Sequence, residues 1–175
     1  MSKLKSLKAK VELHPDYKVP RRIYEVKAKS SDDAPEQIAA AVLKQVAGDL
    51  QIAPDLSQLK FDKVKGSILG KHVLYQQYHD GKPISGAWVR VDIDQQGKVY
   101  NIQNDLVPAS VMGKAKKAAV SRDAAAQLSE NDAKASALSA IQGRSKKVLE
   151  TEAVLFPHEG VPTRAWKIIV QTTRP

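Results

Sequence analysis

Cysteine is absent from the 175 residues. This excludes disulfides and thiolate metal sites without assigning a compartment. No stretch approaches the ~18 consecutive apolar residues of a membrane-spanning helix, and residues 1–30 lack the continuous apolar core of a secretory signal. Catalytic signatures are missing too. There is no H-E-x-x-H, no G-x-S-x-G, no phosphate loop and no G-x-G-x-x-G. The four histidines, His14, His72, His79 and His158, are scattered, and without cysteine they offer no zinc-ligand spacing. His158 and Glu159 are neighbours on an expected turn, so their side chains diverge. Asp92 and Asp94 fall on one strand face ~7 Å apart, where two acids are expected to face solvent rather than form an acid/base pair. Asp80 and Asp105 are expected at turns, as side-chain caps. These absences point to a chain without catalytic residues, metal ligands, cofactor or small-molecule substrate.

What is present is a soluble composition, 42% hydrophobic and 27% charged, with a net charge of +9. Residues 1–30 hold nine Lys or Arg against Glu12, Asp16 and Glu25, a net of +6. The remaining 145 residues carry nineteen against sixteen. The excess therefore lies in a basic N-terminal arm, expected to be a solubilising and partly disordered extension. Such an arm could attract nucleic acid or anionic membrane. It has no aromatic side chains interleaved with its Lys cluster to stack bases, and nucleic acid is not an expected partner.

The most informative segment is His72 to Asp105. Asp80-Gly81 suits a two-residue hairpin turn with positive backbone dihedrals, and Asp94-Gln95-Gln96-Gly97 marks a second reversal. Between them Ala87, Val89, Val91 and Ile93 alternate with Trp88, Arg90, Asp92 and Asp94. The period of two predicts one buried and one wet face. Upstream, Asp33 is expected to cap a helix with Pro35 in its first turn and Glu36 completing a capping box. Ile38, Val42, Val46 and Leu50, widened by Ala39 and Leu43, give that helix one apolar stripe. It must dock on a sheet formed by Leu59–Val64, Val73–Tyr78, Ala87–Ile93 and Val99–Gln103. Residues 108–122 contain Pro108, Gly113 and clustered bases, and are expected to be a linker. A second helix, capped by Ser129 with Asp132 at its third position, runs toward Gly143 with Ala133, Ala137, Leu138 and Ile141 buried. Strands Val148–Phe156 and Arg164–Gln171 follow.

Gln76-Gln77-Tyr78, then Gly81-Lys82-Pro83-Ile84 and Gly86, resemble the signature of the fungalysin/thermolysin propeptide (FTP) domain. The turn at 94–99 and the Asn104-Asp105-Leu106 exit are similar as well. Leu128 to Val170, with Val154-Leu155-Phe156-Pro157 and Ala165-Trp166-Lys167-Ile168-Ile169-Val170, resembles the PepSY module that usually follows it. Together the two likenesses span roughly residues 35 to 171. They imply an α+β fold of two cystatin-like modules, each a helix packed on an antiparallel sheet, the second lacking its last expected strand. The divisions expected are 1–30 basic arm, 31–107 FTP-like module, 108–122 linker and 123–175 PepSY-like module.

The resemblance implies a non-catalytic prodomain of a secreted zinc metalloprotease, acting as intramolecular chaperone and inhibitor of the catalytic domain. It also implies a secreted or periplasmic location with the signal peptide removed; a cytoplasmic location stays open. The alternative is a free-standing PepSY/FTP binding protein that regulates proteases. For either, the expected contacts are aromatic and Arg anchors. Trp88 and Arg90 lie on the polar face of their strand, and Tyr78 lies on the preceding one. Trp166 shares a face with Ile168 and Val170 and is expected in the core.

Overall fold

A computed structural model describes residues 4, 7–26, 33–112, 128–158 and 161–173. Helix α1, Pro35–Leu50, buries Ile38, Ala39, Val42, Leu43, Val46, Ala47 and Leu50, the stripe that its spacing predicts. Its N-cap is Ala34 rather than Asp33, and no side chain caps it. Pro35 at the first position needs no hydrogen-bonded N–H, which lessens the demand for a cap. The helix ends where Gln51 turns left-handed, with φ 54°.

This stripe lies on an antiparallel sheet. Its strands are β1 Lys10–Leu13, β2 Pro20–Tyr24, β3 Leu59–Ser67, β4 Gly70–His79, β5 Lys82–Ile93 and β6 Val99–Asn104. Their spatial order is β1-β2-β6-β5-β4-β3. Val91 stands opposite Val73 on one side and Ile102 on the other, and Ile102 stands opposite Ile23. All four are fully buried. Residues 10–13 and 20–24 thus belong to the sheet, where the sequence suggested a partly disordered extension. The reason is local: Ile23, with Val19 and Val26 at its flanks, is buried beside β6, while Arg21 and Arg22 stay exposed.

The expected turns form. Asp80 and Gly81 both take positive φ, 48° and 76°, and Gly97 takes 72°. Strand β5 is longer than its alternating segment. Its first part, around Ile84, pairs parallel with β7, Lys146–His158, through Ile84 and Leu155. β7 forms a long hairpin with β8, Val161–Thr172. Ile84, Ala87, Val107 and Leu155 form a small second core, flanked by Val111 and Met112.

Helix α2, Glu130–Ala140, begins as expected: the Ser129 hydroxyl accepts from Asp132 N–H at 3.2 Å. It ends at Ala140, before Gly143. Of its expected stripe only Ala133 is buried; Ala137, Leu138 and Ile141 are half-buried. Trp166 is also half-buried, and its indole N–H donates to Leu128 O at 2.9 Å. Most of the expected linker, together with Glu159 of the expected turn, lies outside the described residues; 109–112 begin a helical turn. The architecture is mixed α+β.

Candidate protein-binding face

The sheet has one face under α1 and an opposite face. Register fixes which side chains share the second. Gln76 stands opposite Trp88, Leu74 opposite Arg90, and His72 opposite Asp92. Across β6, Arg90 meets Gln103 and Asp92 meets Asn101. On the other side Lys60 stands opposite Gln76. Trp88, Arg90 and Tyr78 are therefore on or beside one surface, and each is half-buried. Tyr78 follows a register shift in β4, and Lys60 Nζ sits 4.1 Å from its ring centroid, a cation–π contact.

Arg90 is engaged within the sheet. Its Nε lies 2.9 Å from Asp92 Oδ1, and its Nη2 donates to Oδ2 at 3.3 Å. Asp92 itself is only 2% exposed, which corrects its expected place on a solvated face. Asn101 Nδ2 donates to Asp92 Oδ2 at 2.6 Å, and His72 Nδ1 is 2.7 Å from Oδ1. The other ring nitrogen of His72 lies 2.7 Å from Ser67 Oγ. Sequence reasoning missed this cluster because His72 and Asp92 are twenty residues apart and only strand pairing joins them.

The line Ser67–His72–Asp92 joins the β3–β4 hairpin to β5. Ser67 Oγ also accepts from Leu69 N–H at 3.1 Å. The line is a clamp on the β3–β4 hairpin. No group of three or more acidic or histidine side chains is placed to hold a metal ion among the described residues.

The paired glutamines have structural duties. Gln76 Nε2 lies within hydrogen-bonding distance of three carbonyls, those of Gln77, Ile84 and Ala87, at 3.1, 2.7 and 2.8 Å. It ties the bend at which Gly86 adopts φ 76°. Gln77 is buried and treats Val107 as a strand partner. Its Oε1 accepts from Val107 N at 2.8 Å and its Nε2 donates to Val107 O at 2.9 Å. The exit is fixed again by Asn104, whose Nδ2 donates to Pro20 O at 2.7 Å, and by Arg21 pairing with Asp105 at 2.9 Å.

Residues 57–106 match the Fungalysin/Thermolysin Propeptide Motif. The propeptide motif begins just before β3 and ends at Leu106, so it takes in the meander, both glutamines and the exit that they fasten. Trp88, Arg90 and Tyr78 all lie inside it. The motif is one of propeptides and not a catalytic domain, and it implies association with a protease catalytic domain. No curated protein is matched by the chain.

Proposed function

We propose that this chain is a non-catalytic prodomain which binds a thermolysin- or fungalysin-type catalytic domain, promotes its folding and inhibits it. The observation that carries the reading is the coincidence of the propeptide motif with the meander that presents Trp88 and Arg90 on the face opposite α1. On that face Trp88, Leu74 and Tyr78 lie among Lys60, Arg90 and the amides of Gln76 and Gln103. The second half, β7–β8 with α2, is read as the PepSY-like module, and the pair as two cystatin-like units, the first taking in β1 and β2 from the expected arm. A secreted or periplasmic location accompanies this reading.

Trp88 is the principal contact, with Tyr78 beside it. Arg90 contributes its guanidinium edge while remaining bound to Asp92. Half-buried aromatic side chains suit such anchors because little conformational entropy is lost on binding. Mixing the chain with the separately produced catalytic domain should give a complex by size exclusion. Trp88→Ala should weaken it by ~1–2 kcal/mol, about five- to thirtyfold in affinity. Unchanged affinity would remove Trp88 from the interface, and no complex with the wild-type chain would overturn the reading.

A further inference from the structure

Ile68 and Leu69 form the tip of the β3–β4 hairpin, 94% and 62% exposed. The turn does not require them. The reversal is made by Gly70 at φ 139°, where a Cβ would stand 1.9 Å from Ile93 O. Ile68 and Leu69 do not adopt positive φ. Ser, Asn or Asp would serve these two positions at least as well. A neighbouring aliphatic pair at such exposure gains nothing in the isolated chain.

The tip is also braced. Leu69 N–H is held by Ser67 Oγ, which meets His72, which meets Asp92. On the adjoining turn Gln95 Nε2 reaches Ile68 O at 3.5 Å. Two apolar side chains are thus projected outward on a stiff stalk and do not fold back onto the sheet.

Cations surround them. Lys65 stands opposite His72, and Lys71 stands opposite Gly66 on the other face. Lys98 occupies the neighbouring β5–β6 turn, and all three are exposed. None of the three makes an ion pair among the described residues. The acid closest in sequence to Lys98, Asp94, accepts from the Gln96 and Lys98 backbone N–H groups at 3.0 and 2.8 Å. Asp62 is taken by Lys63 at 3.1 Å.

We propose that this tip is a peripheral membrane-docking element. It inserts Ile68 and Leu69 into the headgroup–acyl boundary of an anionic lipid surface, with Lys65, Lys71 and Lys98 at the headgroups. A convex tip with a cation on each side matches a laterally uniform anionic layer, whereas a protein cavity would have to be cut to its shape. Each lysine near such a surface contributes about fivefold in affinity. No helix among the described residues is long and apolar enough to span the bilayer, so the contact is superficial.

The test uses the full chain, sedimented with vesicles of phosphatidylcholine with or without roughly one-third phosphatidylglycerol. Binding is expected only to the anionic vesicles. The double variant Ile68→Ser/Leu69→Ser should lose about tenfold or more, with unchanged circular dichroism and melting. The Leu69→Trp variant should shift its added indole emission to the blue when anionic vesicles are added. Binding unaffected by the serine pair would assign it to charge alone, the basic residues before position 30 included, and would overturn the proposal. So would absence of binding, or a change of oligomeric state in the serine variant, which would make the tip a contact between copies. A blue shift of the Leu69→Trp variant with the catalytic domain but not with vesicles would overturn it in favour of a protein partner.

Discussion

Asp92 shows how far one side chain can depart from its sequence appearance. An Asp in an alternating strand reads as a solvated residue, and here three donors converge on it in a buried position. Removing a buried carboxylate leaves its partners uncompensated, which costs more than the net worth of the bonds. Asp92→Ala should lower stability by about 2–3 kcal/mol, less than for a fully enclosed pair because Arg90 reaches solvent. Urea unfolding checks this; a loss below ~0.5 kcal/mol would return Asp92 to the class of ordinary surface acids.

Tyr75 offers a second test at this scale. It is buried, and its hydroxyl donates to Glu36 O at 3.1 Å. Burial, with a smaller contribution from the Glu36 carboxylate, raises its pKa above the usual phenol value. A group that holds its proton more tightly when folded contributes stability in full below the unfolded pKa of about 10. That contribution is lost as pH rises through the folded value. Tyr75→Phe should therefore be less stable by about 1 kcal/mol at neutral pH, having lost one hydrogen bond, yet decline less steeply above pH ~10. Tyr17 and Tyr100 are raised in the same direction by burial, so only part of the alkaline slope should disappear. Identical slopes would contradict the assignment.

At the scale of elements, periodicity was a sound guide wherever one face alone is buried. The α1 stripe, the β5 alternation and the turns at 80–81 and 94–97 follow from spacing and from the dihedral demands of Asp-Gly and Gly. Two features could not be read that way. β2 places one core isoleucine, Ile23, between exposed Arg22 and half-buried Tyr24, with Val19 and Val26 buried at its flanks, too short an alternation to separate from a basic arm. The parallel pairing of Ile84 with Leu155 joins residues far apart in sequence, and the two apolar residues carry no periodicity of their own. The face that holds Trp88, Arg90 and Tyr78 was legible, but not Arg90's engagement with Asp92, which rests on register.

The glutamine pair belongs to the same scale, because it locks one element to the next. Gln77 supplies both partners of Val107, so Gln77→Leu should orphan a buried N–H and C=O. The cost should be about 2–3 kcal/mol. Hydrogen exchange should show residues 105–112 opening more readily while α1 keeps its protection. Uniform loss of protection would mean that Gln77 supports the whole core and not the exit alone.

For the whole molecule, the meander is the common part. One face closes the larger core under α1, the early part of β5 carries the hairpin β7–β8, and the remaining face is the proposed docking surface. That arrangement suits the proposed scaffold, a preformed sheet on which another domain completes its folding. The most direct measurement is refolding of the isolated metalloprotease catalytic domain, from denaturant, with and without this chain added separately. Proteolytic activity should be recovered only when the chain is present, less so with Trp88→Ala, and should fall with dose once folding is complete. Equal recovery without the chain, and no inhibition at any dose, would contradict the proposed scaffold.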